Sequence, residues 1–144
     1  MPEQSYAKHA KFVPLFHFVL SGLLVLTFIG SNVNLYKSLD DHSRLYSASL
    51  ITVLSFAMLL LFYYCRAFAL KAQDRAIRAE ENLRHFAMTG KLLDPRLTLR
   101  QIIGLRFASD AEFVELVRRA GAEGLSEDAI KRAVKNWRAD HDRL

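Results

Sequence analysis

The chain has 144 residues, of which 20 are Lys or Arg and 15 are Asp or Glu, giving a formal net charge of +5. Hydrophobic residues make up 51%, and there is one Cys. These averages conceal a split, because residues 1–65 hold 4 Lys+Arg and 3 Asp+Glu whereas residues 66–144 hold 16 and 12. The split excludes one soluble domain running the whole length, a disulfide scaffold and a disordered chain.

Residues 1–11 form a short polar arm with Lys8 and Lys11. The next 25 residues, 12–36, contain no Lys, Arg, Asp or Glu. A bilayer core takes roughly 20 apolar helical residues to cross, so 12–36 is predicted as transmembrane helix 1, with Pro14 in its first turn, where a missing N–H costs little. The apolar run from Phe12 to Ile29 is too long for the ~7–15-residue core of a signal peptide. The following Gly30-Ser31-Asn32-Val33 offers no cleavage site of the A-x-A kind, so the span is read as uncleaved. Residues 37–44 are a short extracytoplasmic loop of net charge zero, and 45–65 is transmembrane helix 2. Tyr36 and Tyr46 mark one interface, and Tyr63 and Tyr64 the other, as aromatic belts do. Cys65 reads as a small packing residue.

Orientation follows from the placement of Lys and Arg. The loop has Lys37 and Arg44, cancelled by Asp40 and Asp41, whereas Arg66, Lys71, Arg75, Arg78 and Arg84 follow span two. The positive-inside rule places both termini in the cytoplasm, and the protein is read as a multi-pass protein of the cell inner (cytoplasmic) membrane. The excess basic charge lies beside the membrane, with net +3 over 66–91 and +1 over 92–144. Arg66, Lys71, Arg75 and Arg78 are therefore candidate contacts for anionic lipid headgroups, each worth ~1 kcal/mol. Nucleic-acid binding is not expected, because the terminal helices interleave acids with bases instead of presenting one basic face.

Residues 66–90 form a juxtamembrane rod, free of Gly and Pro up to Thr89 and rich in strong helix formers. Asp74–Arg78, Glu80–Arg84 and Glu81–His85 are spaced i,i+4 and read as a solvated face. Ala69, Ala72, Ala76, Ala79, Leu83 and Phe86 are spaced 3, 4, 3, 4, 3, which is a heptad a/d stripe. It suits a helix–helix contact within the chain or between copies in a homo-oligomer. The helix propensity of Ala accounts for it equally well.

Gly90 suits the end of the rod, and Asp94-Pro95 marks a turn. Residues 91–144 are then expected as a three-helix cytoplasmic domain. Thr98 caps LRQIIGLRFA, Ser109 and Glu112 form a capping box opening a helix over 110–120, and Ser126 opens a third running to about Ala139. Gly121 and Gly124 punctuate the end of the second. Ile102, Ile103, Phe107, Phe113, Leu116, Val117, Leu125, Ile130, Val134 and Trp137 recur at helical spacing and can form one small core. Trp137 is expected on the third helix, packed on Phe113 or Ile130. With Arg138 it is also a candidate anchor for an unknown protein partner, since Trp and Arg are enriched in hot spots.

Few features carry chemistry. His17 is an ionisable group inside span one, with Ser21 one turn on, and intramembrane ionisable residues are functional candidates. The ordinary alternative is a neutral His bonded to a neighbouring helix or interface water. Asp40-Asp41-His42 and Asp140-His141-Asp142 are too local to converge on a metal, and no phosphate-binding loop, HExxH, GxSxG or CxxC occurs. No cofactor, metal or catalytic residue is assigned.

The stretches KFVPLFHFVL, RAFALKAQDRAIRAEENLR, LTLRQIIGLRFASDAEFVELVRRA and IKRAVKNWR together resemble a domain-of-unknown-function family of small bacterial two-span membrane proteins with a cytoplasmic helical tail. The resemblance covers most of residues 8–138, implies that fold, and transfers no catalytic residue. The whole reads as an all-α membrane protein with a two-helix transmembrane hairpin, a long cytoplasmic extension of the second helix and a small three-helix C-terminal tail. The expected function is non-enzymatic, a membrane-anchored interaction or scaffold protein. The alternative is an oligomeric pore or an accessory subunit of a membrane transporter. A pore requires polar residues aligned along both spans; a tether leaves them scattered or packed against one another.

Overall fold

The structure is a computed structural model that describes Tyr6 and residues 12–140. The rest of the amino-terminal arm, with Lys8 and Lys11, and the cluster residues His141 and Asp142 lie outside the described residues. The described residues form an all-α fold. A π-helical stretch, Leu15–Leu20, leads into α1 (Ser21–Lys37), followed by α2 (His42–Thr89), α3 (Leu99–Leu105), α4 (Asp110–Glu123) and α5 (Glu127–Ala133). The chain divides into two units, one of Phe12–Ala69 and one that joins Tyr6 to the residues from Leu70 onward.

The first unit is the hairpin. Its helices hold two windows apolar and long enough to cross a membrane. Three polar side chains, Ser31, Thr52 and Ser55, lie where the helices meet, whereas Thr27, Asn32 and Ser47 are exposed. Ser31 and Ser55 share a hydrogen bond at 2.9 Å, and the Thr52 hydroxyl donates to the Ser31 carbonyl at 3.1 Å. Ala48 is buried beside them, as close packing through small side chains requires. Phe16 stacks on Phe62 with centroids 4.4 Å apart. The Asp41 carboxylate in the loop accepts from the Ser43 backbone N–H and hydroxyl, and its carboxyl is lowered chiefly by that hydroxyl.

The second unit is larger than the tail expected from the sequence, because the outer part of α2 belongs to it. Ile77 on α2 joins a core made by Leu93, Leu97, Ile102, Leu105, Phe113, Leu116 and Ile130. The polar residues facing that core follow the same i,i+4 spacing, with Glu81 and His85 buried. The reading of Glu81 and His85 as part of a solvated face is corrected here, since His85 lies against Phe113 and the Lys91 carbonyl and both residues are buried, whereas Arg78 and Glu80 of the same pattern are exposed. Gly90, at φ 72°, ends α2 as expected. The chain then turns back, with Leu93 N–H donating to Asn82 Oδ1 at 3.0 Å and His85 Nδ1 to the Lys91 carbonyl at 2.7 Å.

The capping signals hold. Thr98 and Gln101 form a reciprocal capping box on α3, the Glu112 carboxylate reaches back to Ser109 on α4, and Ser126 Oγ accepts from Ala129 N–H on α5. Gln101 also donates to the Ala120 and Leu125 carbonyls, tying α3 to the end of α4. Gly104 sits where α3 meets α5; a Cβ there would lie 3.1 Å from the Glu127 carbonyl and 3.2 Å from an Ile130 methyl.

Several boundaries differ from the sequence reading. α3 stops at Leu105, and α4 runs through Gly121 to Glu123, ending on Gly124 at φ 62°. α5 stops at Ala133 instead of reaching Ala139. After it, Ser109 N–H donates to the Asn136 carbonyl, Arg138 N–H donates to the Phe107 carbonyl, and Ala108 and Trp137 form an antiparallel bridge. These bonds, with the Lys135 and Asn136 N–H groups donating to Glu112, hold residues 134–138 out of the helix in place of one more turn.

Candidate functional site

A polar constellation lies where α2 meets α4, with Arg84 at its centre. Its side chain is only 10% exposed. Nε and an NH2 nitrogen bond Asp110 Oδ1 at 2.9 and 2.6 Å, the same NH2 donates to the Ala108 carbonyl at 2.8 Å, and NH1 bonds Glu81 Oε2 at 3.1 Å. The guanidinium also lies 4.1 Å from the centre of the Phe113 ring. A planar five-donor group is suited to bridging two carboxylates and a carbonyl over an aromatic face. The sequence pairs Arg84 with Glu80; the structure pairs it with Glu81 and Asp110.

The two acids respond in opposite directions. Burial raises the Glu81 carboxyl above its ordinary value, with Arg84 opposing. The exposed Asp110 carboxyl is lowered by its bond to Arg84. Arg138, the candidate anchor, approaches Glu81 Oε1 at 4.0 Å with its own side chain exposed. Glu112 binds the same terminal segment. Its burial works against the charge, but the backbone N–H groups of Asn136, Lys135 and Ser109 outweigh it and hold the carboxyl low. The arrangement is a latch that fastens α2 to the tail, with all three Arg84 guanidinium nitrogens bonded.

Trp137 is half-buried on Phe107, ring centroids 4.8 Å apart, and lies on the segment after α5 instead of a helix. The expectation of Trp137 on the third helix is corrected: because α5 stops at Ala133 it lies beyond that helix, packed against the core cluster that includes Phe113 and Ile130. Arg106, also buried, faces the Phe107 ring at 4.6 Å and pairs with Asp140.

The other sequence-selected residues are distributed as follows. His17 is half-buried, and its Nδ1 lies 3.0 Å from the Val13 N–H and from the Val13 carbonyl, so the ring folds back on the start of its own helix. Ser21 donates to the His17 backbone carbonyl, not to the ring. Arg66 is half-buried; Lys71, Arg75 and Arg78 are exposed. Ala69 is half-buried, and Ala72, Ala76, Ala79, Leu83 and Phe86 are exposed. The face of α2 that packs on the tail is the Ile77–Glu81–His85 stripe, not the Ala stripe.

An open cleft of about 620 Å³ lies between the 91–96 turn and α4. Leu92, Leu93, Pro95, Val114 and Val117 give it apolar walls, and Lys91, Arg96 and Arg118 stand at its rim. Arg96 is clamped on Asp94, which holds that carboxyl down at about 2, and Arg118 is bonded to Glu115. Among the described residues, no three His, Cys, Asp or Glu side chains converge as metal ligands.

Sequence reasoning missed the latch. Its one available signal was Ile77, a lone large aliphatic residue among charges, with Glu81, Arg84 and His85 at i+4, i+7 and i+8 on the same side.

Fold and latch define a class: an all-α protein in which two helices apolar enough to cross a membrane precede a small helical unit fastened through the second of them. The chain belongs to the Family of unknown function (DUF6526), whose model matches residues 1–144. No curated protein and no solved structure matches it.

Proposed function

We propose that the protein is a non-enzymatic membrane anchor. Two helices cross the cytoplasmic membrane, both termini lie in the cytoplasm, and the α2–α5 unit is presented there to a protein partner. The observation that carries this reading is the exposure of the apolar helices. Only 6% and 11% of their most apolar windows is buried, and contiguous apolar surface of that size needs lipid or protein around it. A second observation supports the topology. The Tyr6 hydroxyl bonds Asp128, and Arg132 donates to it at 3.2 Å. Tyr6 precedes the first span and Asp128 follows the second, a contact that suits two crossings with both ends on one side.

The polar residues of the spans support a tether over a pore. Ser31, Thr52 and Ser55 bond to one another inside the hairpin, which removes them from any pathway lining. The latch supports an interaction role, since its charged groups fix α2 to the tail and leave the Arg138 side chain exposed.

The test is alkaline carbonate extraction of membranes from cells expressing the full chain. Retention in the pellet is expected. Release into the supernatant contradicts the anchor.

A further inference from the structure

Among the described residues, one face of α2 is left bare by what packs on the helix. In heptad terms, Ala72, Ala79 and Phe86 occupy d, and Ala76 and Leu83 occupy a. Ile77, Glu81, Arg84 and His85, which meet the tail, then fall at b, f, b and c. At 3.6 residues per turn the two sets lie on opposite sides of the helix, so a partner on the a/d face does not compete with the tail. Leu83 is 67% exposed and Phe86 50%, so the face presents large apolar anchors as well as small residues.

The flanking charges select the partner. Arg75 is at g and Glu80 at the following e, the two positions that meet across a parallel two-stranded coiled coil. Both are exposed. Neither forms an ion pair within the described chain, because Arg84, the apparent helical partner of Glu80, is committed to Glu81 and Asp110. A second copy supplies Glu80 opposite Arg75 and Arg75 opposite Glu80. Copies anchored in one membrane with one topology bring their rods together in parallel, the direction this pairing needs; this step rests on the anchor reading.

We propose that the a/d face of α2 docks on the same face of a second copy in a parallel, in-register two-helix contact. Leu83 and Phe86 close its distal end, and two symmetry-related Arg75–Glu80 pairs set the register.

The experiment is oxidative crosslinking of the full chain in native membranes, on a Cys65→Ser background. Single cysteines are placed at Ala72, Ala76 and Ala79, with Arg78→Cys at the exposed c position as the control. Disulfide dimers are expected at the first three and not at the control. Arg75→Glu, added to Ala79→Cys, is expected to lower the dimer fraction about threefold as two attractions become repulsions, and Arg75→Glu with Glu80→Arg is expected to restore it. Equal crosslinking at all four positions, or none at any, overturns the proposal. Loss that the charge exchange does not restore overturns the parallel register. Carbonate extraction of the same samples reads the anchor reading separately: a protein that stays in the pellet without dimers fails only this proposal.

Discussion

Replacing Arg84 with Met removes the latch while keeping an unbranched side chain over Phe113. Four polar bonds disappear, to Asp110 twice, to Glu81 and to Ala108. Asp110 is exposed and returns to water at little cost. Glu81 is 5% exposed and keeps only Arg138 at 4.0 Å. Breaking one side of a buried pair costs ~3–5 kcal/mol, and we take the lower end, about 3 kcal/mol, because Glu81 can take up a proton. For a domain of this size, about 1 kcal/mol moves the melting midpoint by about 4–8 °C, so a fall of about 12–24 °C is expected. Trp137 is the single Trp of the chain and packs on Phe107, so its fluorescence in detergent-solubilised full-length protein follows the unfolding of this unit. The orphaned Glu81 gives the loss a pH signature. A carboxyl raised in the folded state adds stability that is complete below its ordinary value and disappears as pH rises through the raised one. The Arg84→Met protein should therefore melt higher near about pH 5 than near about pH 8, and adding Glu81→Gln should recover about 1 kcal/mol and abolish that difference. A loss below about 0.5 kcal/mol for Arg84→Met, or no recovery with Glu81→Gln, refutes the latch.

Further outcomes are read by the same fluorescence melt. Gly104→Ala should destabilise by ~1–3 kcal/mol, because its Cβ meets the Glu127 carbonyl and Ile130 within 3.1–3.3 Å. Gly121→Ala should instead stabilise by up to ~1 kcal/mol, since its nearest contact is Leu97 at 3.9 Å and the position is helical. Thr98→Ala and Ser126→Ala should each cost ~1 kcal/mol through lost caps. Asp110→Asn should lower the melting temperature above the ordinary carboxylate value of 3.8, and the difference should shrink as pH falls below it, because a lowered carboxyl contributes only while ionised.

The features legible in the sequence were those that local physics determines. The two charge-free stretches announced apolar helices, Thr98, Ser109, Glu112 and Ser126 announced the helix starts, and Gly90 announced the end of α2. Ile102, Phe107, Phe113 and Ile130 were legible as core from their spacing, and all are buried. What failed was non-local. Glu81 and His85 looked solvated because the sequence does not show that Phe113, Asp110 and the 91–93 turn come to lie over them. α5 was drawn too long because the residues after Ala133 are good helix formers on paper. Their non-helical course depends on Phe107, Ala108 and Ser109, about 28 residues earlier in the chain. Gly121 was taken as a terminator by residue type, although only Gly124 has the positive φ that favours glycine. Which side of α2 the tail would take, the Ile77–Glu81–His85 stripe and not the Ala stripe, was not visible in the sequence.

The central claim is that the hairpin crosses the membrane with the α2–α5 unit on the cytoplasmic side. The most direct test labels single cysteines with a membrane-impermeant maleimide, on a Cys65→Ser background, using Leu39→Cys in the loop and Ala111→Cys at the exposed start of α4. The account predicts that Leu39→Cys reacts in intact cells and that Ala111→Cys reacts only after the membrane is permeabilised. Reaction of Ala111→Cys in intact cells, or protection of Leu39→Cys there, contradicts it.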